Sequence, residues 1–194
     1  LCDRRQRQLC IRDSLPAEDV KKAKQTIINT ANAYAQSVQT EGYLIPYSAV
    51  EYPWGSNSNL MNRSIFLGLA HDFTGDRKYV QAMSDAMDYV LGRNPLDQSY
   101  VSGYGSRPLK NPHHRFWAQQ LDPSSPLVPP GVMSGGPNSI SFSDPIAASL
   151  KGHCTGQTCW KDEIGSWTLN EVTINWNAPF FWTTSYIDEG YLNK

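Results

Sequence analysis

Two carboxylates, Asp162 and Glu171, stand in the stretch 160–178 among aromatic and amide side chains. These aromatic and amide neighbours are Trp160, Trp167, Trp176, Asn170, Asn175 and Asn177. A core helix seldom concentrates such residues, because every buried polar group needs a partner. A site for a polyhydroxylated ligand needs flat apolar faces, amides for the hydroxyls and a carboxyl group that moves a proton. The sequence therefore predicts that Glu171 is a catalytic acid.

The role of Glu171 depends on the helix that the sequence predicts around it. On a helix that begins between Trp167 and Asn170, Glu171 shares a face with Trp167, four residues earlier. An indole against a carboxyl group raises its pKa by desolvation, as a general acid needs near neutral pH. The alternative is a carboxylate that only complements the positive end of the helix dipole.

Asp162 does not fall on the same helical face as Glu171. The separation is 171 − 162 = 9 residues, and at about 100° per residue this is half a turn out of phase. Asp162 therefore lies in the preceding loop or is not the partner of Glu171. An Asp at this place also suits a helix cap or a calcium ligand.

A second polar group lies in the stretch 111–117, Asn-Pro-His-His-Arg-Phe-Trp. In an extended segment His113 and Arg115 point the same way and form a donor pair for sugar hydroxyls. The alternative is a loop held by hydrogen bonds from Arg115 to backbone carbonyls. Adjacent side chains diverge, so His113 and His114 are poor joint ligands and no metal site is predicted.

Two further motifs have structural interpretations. The stretch 134–138, Ser-Gly-Gly-Pro-Asn, lacks the Gly-Lys-Ser/Thr ending of a phosphate loop, so we reject nucleotide binding and predict a tight turn near the site. Asp144 precedes Pro145 and is predicted to cap a helix rather than to catalyse.

The cysteines suggest an oxidising environment. Cys154 and Cys159 lie five residues apart around a glycine and are a candidate pair for a small disulfide, and Cys2 and Cys10 are a second candidate pair. Free thiols or a metal site are the alternatives, although a second ligand pair at zinc-finger spacing is lacking. We expect a secreted, extracellular protein.

Apolar periodicity predicts helices that position these residues. The first helix is expected to open in the stretch 14–19, with Pro16 in its first turn, and to end at Gly42. Further helices are expected over about 56–73, 77–91 and 143–150, and from 167–170 to about 188, with a kink or a relaxed turn at Pro179. The long stretch 93–160 is expected to be an ordered functional loop. The class is all-α, with residues 1–13 as a tail or linker of unknown role and 14–194 as the domain.

Composition excludes several classes of protein. Hydrophobic residues make up 40%, charged residues 18%, and the net charge is −1. A nucleic-acid binder would carry a basic face, and a disordered chain would be more charged and less hydrophobic. No apolar run approaches the ~20 residues of a membrane span, and the opening residues do not resemble a signal peptide. The chain begins without Met, and we expect it to be processed, cut or partial.

Taken together, the motifs resemble those of family 9 glycoside hydrolases, which are inverting cellulases with an (α/α)6 barrel. The stretches 99–107 and 112–115 follow the histidine motif of that family. Trp160, Asp162, Trp167, Glu171–Thr173 and Asn177–Ala178 follow its acidic motif, and 54–58 and 91–95 are similar to further family stretches. The resemblance covers residues 14–190.

The resemblance implies a role for each motif residue. Glu171 is the proton donor to the departing glycosidic oxygen, and Asp162 is a supporting catalytic residue. His113 and Arg115 bind glucosyl units, with Tyr104 and Trp176 as further substrate contacts, although Trp176 stands where relatives carry Tyr. The partner is a β-glucan or a cello-oligosaccharide. No cofactor is required for the chemistry, and a structural calcium ion is allowed in the full domain.

One part of the family's machinery is missing from the sequence. The family's general base is an Asp in an Asp-Ala-Gly-Asp-like motif, which this chain lacks. An inverting enzyme needs its acid and base about 6.5–9.5 Å apart. The chain therefore resembles the C-terminal portion of the catalytic domain, whose N-terminal part is its expected partner, and alone it is expected to hydrolyse cellulose poorly. A non-catalytic carbohydrate-binding module and a structural α-domain are the competing interpretations.

Overall fold

The computed structural model describes residues 15–47 and 50–192, and within those ranges its regular structure is helical. The α-helices are α1 (Ala17–Ser37), α2 (Ser56–Thr74), α3 (Lys78–Val90), α4 (Pro145–Leu150), α5 (Trp167–Asn170) and α6 (Ile174–Leu192). Two 3₁₀ turns span Gly42–Leu44 and Gly156–Thr158. Strand pairing in the described ranges is limited to three isolated bridges. The prediction of an all-α class is confirmed. The tail 1–13, with Cys2 and Cys10, lies outside the described residues.

The predicted bounds of α2, α3 and α4 are confirmed to within two residues, whereas the predicted end of α1 is wrong. α1 ends at Ser37, and Gly42 instead begins a 3₁₀ turn. The amides of Gln39 and Thr40 bond to carbonyls only three residues back, each at 3.0 Å. Such bonds tighten and close a helix, so no glycine is needed to end it. Among the described helices none is both long and apolar enough to cross a membrane.

α2 lies at the centre of the helices and packs against α1, α3 and α6. One apolar cluster joins α1, α2 and α3 through Ala31, Leu67 and Met83, all of which are fully buried. The absence of a side chain at Gly68 lets α6 approach, because a Cβ there would lie 2.6 Å from Cη2 of Trp182. Burial of these side chains stabilises the helices by about 25 cal/mol per Å² of apolar surface.

The loops between α3 and α5 form the second apolar cluster together with α2. Tyr100, Leu109 and Met133 from the loops are buried against Leu60 and Met61. The bridges Val101↔Met133 and Ser102↔Leu109 fix how these loops lie on each other. The stretch 93–160 is therefore packed core as well as loop, and it forms the platform on which the candidate site is built.

Asp144 joins α4 to α5 from a fully buried position. Its Oδ1 accepts from the Ala147 amide at 2.6 Å, which confirms the predicted helix cap. Its Oδ2 accepts from the Thr168 amide at 2.9 Å and from the Thr168 hydroxyl at 2.5 Å. The predicted disulfide Cys154–Cys159 is also present.

Candidate active site

Glu171 lies between two helices, so the prediction that it sits on a helix is wrong. Its backbone is extended (φ −56°, ψ 148°), α5 ends at Asn170, and α6 begins at Ile174. The Asn170 and Glu171 carbonyls do not take helical partners, because His113 N–H (3.3 Å) and Gly135 N–H (2.9 Å) donate to them. The predicted helical face is therefore lost, and Ile174 is 90% exposed. The half-buried Glu171 stands where two loops join.

Every backbone N–H of the segment 110–113 donates to a residue of the acidic motif. The Lys110 amide donates to Oδ2 of Asp162 at 2.9 Å, and the Asn111 amide donates to Oδ1 at 2.8 Å. Pro112 has no N–H. The His113 amide is shared between the carbonyl and the Oδ1 of Asn170, at 3.3 and 3.2 Å. Every backbone donor of this segment thus points into the stretch that carries Glu171.

The His113 ring is oriented by one hydrogen bond. Its Nδ1 lies 2.6 Å from the carbonyl oxygen of Ile164. A carbonyl only accepts, so Nδ1 carries a proton and donates it to this hydrogen bond. The ring centroid lies 5.9 Å from that of Trp167. The isolated parallel bridge His113↔Glu171 places this histidine beside the predicted acid.

Asn170 and Asn177 secure the two loops that flank Glu171. The Asn170 side chain is 0% exposed and donates from Nδ2 to the Asn111 carbonyl at 2.7 Å. The Asn177 side chain accepts from the Met133 amide at 2.8 Å and donates to the Met133 carbonyl at 3.0 Å. Each amide thus uses both its donor and its acceptor on the backbone of another loop, which an apolar or acidic side chain cannot do.

The Trp176 indole is held between two glycines. A Cβ on Gly55 would lie 2.8 Å from Cε2 of Trp176, and one on Gly135 would lie 2.7 Å from its Cζ3. Gly135 in turn accepts from the Asn57 amide at 3.0 Å and donates to Glu171. The turn predicted near the site at 134–138 therefore connects the start of α2, the indole and Glu171.

The remaining predicted contact residues lie at the surface. Arg115 and Tyr104 are exposed, and Phe116 beside Arg115 is 63% exposed. His114 stacks on Trp117 with ring centroids 4.1 Å apart, and its Nδ1 accepts from the Phe116 and Trp117 amides at 3.2 and 3.3 Å. The loop thus combines the stacked His114–Trp117 pair with the exposed aromatic ring of Phe116. An exposed aromatic ring is suited to contact with the apolar face of a sugar.

Burial shifts the pKa of two groups in this region. It raises the pKa of Asp162, while the Asn111 and Lys110 amides oppose that shift. Burial, followed by the charge of neighbouring His113, lowers the pKa of His114. The lowered pKa of His114 agrees with its geometry, because Nδ1 has to stay unprotonated to accept two amides.

Sequence reasoning missed the positions of Asn170, Asn177 and Gly135 in the site. The sequence predicts that these two amides bind sugar hydroxyls, but their hydrogen bonds go to protein backbone. In the sequence, only the closeness of Asn170 and Asn177 to Glu171 indicates that they belong to the site. This closeness does not show which groups they bind. No group of three or more His, Cys, Asp or Glu that could hold a metal occurs among residues 15–47 and 50–192.

The sequence model of Glycosyl hydrolase family 9 matches residues 6–184. A cellulose 1,4-beta-cellobiosidase of Acetivibrio thermocellus is 49% identical over 92% of the chain and 21% of its own length. Endoglucanase C of Cellulomonas fimi is 39% identical over 92% of the chain and 16% of its own length. The chain thus spans about a fifth of these relatives.

Solved structures agree with this match. A thermostable endoglucanase from Alicyclobacillus acidocaldarius superposes with a TM-score of 0.78 at 30% identity, over 91% of the chain and 33% of that structure. AaCel9A in complex with cellobiose-like isofagomine gives a TM-score of 0.77 at 30% identity, with the same coverage. The predicted fold, part of an (α/α)6 barrel, is confirmed.

Proposed function

The chain belongs to glycosyl hydrolase family 9, and from that membership we propose that it supplies the acid half of an inverting endo-β-1,4-glucanase. The substrate is cellulose or a related β-glucan. Glu171 protonates the departing glycosidic oxygen, and Asp162 supports it. His113, Arg115, Tyr104 and Trp176 contribute to the substrate cleft. The relatives named cellobiosidase and endoglucanase support the reaction class.

One observation carries the assignment of Glu171. Its backbone is the junction of the histidine loop, through Asn170 and His113, and of the glycine turn, through Gly135. The backbone that carries this carboxyl group is therefore held by two independent loops. Fixed geometry is what general acid catalysis requires, because a proton is transferred only over hydrogen-bond distance.

The base and the rest of the cleft come from the N-terminal portion of the domain in this proposal. An Asp there activates a water on the opposite face of the sugar, about 6.5–9.5 Å from the acid. In this proposal His113, Arg115, Tyr104 and Trp176 line one side of the cleft. The hydrolysis needs no cofactor in this proposal. The disulfide Cys154–Cys159 supports a secreted location.

The test uses a completed domain, in which residues 15–192 replace the matching segment of the Acetivibrio thermocellus cellobiosidase. It is expected to release reducing sugar from carboxymethyl cellulose, whereas the 194-residue chain alone releases little. Glu171→Gln should lower the rate about 10²–10⁴-fold, the usual contribution of an acid catalyst. Circular dichroism and thermal melting check that the completed domain folds both with Glu171 and with the Glu171→Gln substitution.

Three outcomes would contradict the proposal. Unchanged activity in Glu171→Gln removes this residue from the acid role. A β-anomeric product, followed by NMR during hydrolysis of a cello-oligosaccharide, excludes inversion. Binding of cello-oligosaccharides by a folded completed domain without turnover favours the non-catalytic module instead.

A further inference from the structure

The carboxylate of Asp162 is occupied by backbone donors. Each of its oxygens accepts one amide, from Lys110 at 2.9 Å and from Asn111 at 2.8 Å. The Asn111 side chain adds a bond from Nδ2 to the Asp162 carbonyl at 3.3 Å. Two consecutive amides thus converge on one side chain, and an ionised Asp accepts each of them with its own oxygen.

Asn170 binds the other end of the segment 110–113, which Asp162 binds at Lys110 and Asn111. Its Oδ1 accepts from the His113 amide and its Nδ2 donates to the Asn111 carbonyl. These two bonds run in opposite senses, so neither an Asp nor an apolar side chain can make both. Water cannot replace them, because the Asn170 side chain is fully buried.

From these contacts we propose that Asp162 and Asn170 are positioning residues that fix His113 relative to Glu171, and that Asp162 transfers no proton. The inference rests on the proposed function. The His113 ring is aimed by its bond to Ile164, which belongs to the same 162–171 stretch. The stretch thus places the sugar-binding histidine and the acid as one unit, and errors of about 1 Å in such a unit cost about 10²-fold in rate.

The activity test compares Asp162→Asn with Asp162→Ala in the completed domain. The amide of Asp162→Asn keeps one accepting oxygen for the half-buried Asn111 N–H, while the exposed Lys110 N–H turns to water. A positioning role predicts that Asp162→Asn stays within about tenfold of the unsubstituted kcat/KM, while Asp162→Ala and Asn170→Ala lose about 10²-fold. Asp162→Asn should also keep both limbs of the pH profile of kcat/KM.

A matched control for Asn170→Ala is Asn94→Ala. Asn94 is also buried and donates to two backbone carbonyls, of Tyr89 and Gln98, each at 2.8 Å. It lies outside the acidic motif, so its loss should lower the melting temperature without changing kcat/KM of the folded enzyme. The same kcat/KM loss in both Asn variants would mean a general packing effect and would overturn the positioning role of Asn170.

A second measurement does not depend on activity. In the 194-residue chain, Asp162→Ala should speed hydrogen exchange at Lys110 and Asn111, and Asn170→Ala should speed it at His113. Unchanged exchange rates in these variants would overturn the proposal. So would equal kcat/KM values for Asp162→Asn and Asp162→Ala. The loss of one limb of the pH profile in Asp162→Asn would also overturn it. An inactive completed domain counts against the proposed function, and the exchange rates still decide the positioning role.

Discussion

The amide of Gly135 donates to the carbonyl oxygen of Glu171 at 2.9 Å, and the Gly135 carbonyl accepts from the Asn57 amide at 3.0 Å. One residue thus connects the first turn of α2 to the predicted acid. A side chain is excluded at this residue because the Trp176 indole covers it. The position of Glu171 is therefore set by a glycine 36 residues earlier in the sequence (171 − 135).

Gly135→Ala should disturb this connection. The new Cβ would lie 2.7 Å from Cζ3 of Trp176, so the indole or the turn has to move. Overpacking of this kind costs about 1–3 kcal/mol of unfolding free energy. We expect a lower melting temperature for the 194-residue chain and a lower kcat for the completed domain.

The control for this substitution is Gly42→Ala, because a Cβ on Gly42 meets nothing within 4 Å. It should leave both quantities unchanged. Combining Gly135→Ala with Trp176→Leu should recover part of the lost stability, since the smaller side chain removes the collision. Additive losses in that double variant would show that the indole is not the cause.

Asp144→Ala should be among the most destabilising single substitutions in the described chain. It leaves the Ala147 amide and both donors of Thr168 without a partner in a fully buried place. An unsatisfied buried donor costs about 1–3 kcal/mol, and several are lost together.

The comparison for Asp144 is Asp76→Ala. Asp76 also accepts a backbone amide, from Lys78 at 3.0 Å, but it does so in the solvent. In chemical denaturation its removal should cost much less stability than the removal of Asp144, because water can accept from the exposed Lys78 amide instead. Similar losses of unfolding free energy for Asp144→Ala and Asp76→Ala would contradict the claim that burial makes Asp144 important for stability.

The sequence was informative where local rules decide the structure. Helices α2 and α3, the cap at Asp144 and the disulfide Cys154–Cys159 follow from periodicity, cap chemistry and spacing. The sequence predicts a helix at Glu171 because the residues of α5 and α6 together form one helical pattern. The break between them is caused by His113 and Gly135, whose amides take the Asn170 and Glu171 carbonyls.

Such breaks come from partners far away in the chain, which periodicity does not detect. The same reason explains Asp162. Asp162 lies in the loop before α5, which is one of the two alternatives that the sequence left open. Its amide donors lie about 50 residues earlier in the chain, and only the fold shows them.

The loop at His114 should loosen as the pH falls. The folded protein favours the neutral ring, because burial and then the charge of His113 lower the pKa of His114. The resulting stability is fully present above the unfolded pKa of about 6.5 and is lost as the pH falls through the lower folded pKa. Protonated Nδ1 no longer accepts the Phe116 and Trp117 amides.

Hydrogen exchange at the Phe116 and Trp117 amides, corrected for intrinsic rates, should therefore become faster as the pH falls through the folded pKa of His114. His114→Asn is the control, because its Oδ1 accepts amides two and three residues on but does not titrate. The same pH dependence in His114→Asn would exclude the imidazole as its source.

If Glu171 gives a proton to the leaving oxygen, the effect of replacing Glu171 depends on how much the leaving group needs that proton. In the completed domain, kcat/KM of Glu171→Gln should fall about 10²–10⁴-fold on cellopentaose. On 2,4-dinitrophenyl β-cellobioside it should fall less than about tenfold, because that phenolate departs without protonation. Equal losses on the two substrates would contradict the assignment of Glu171 as the general acid.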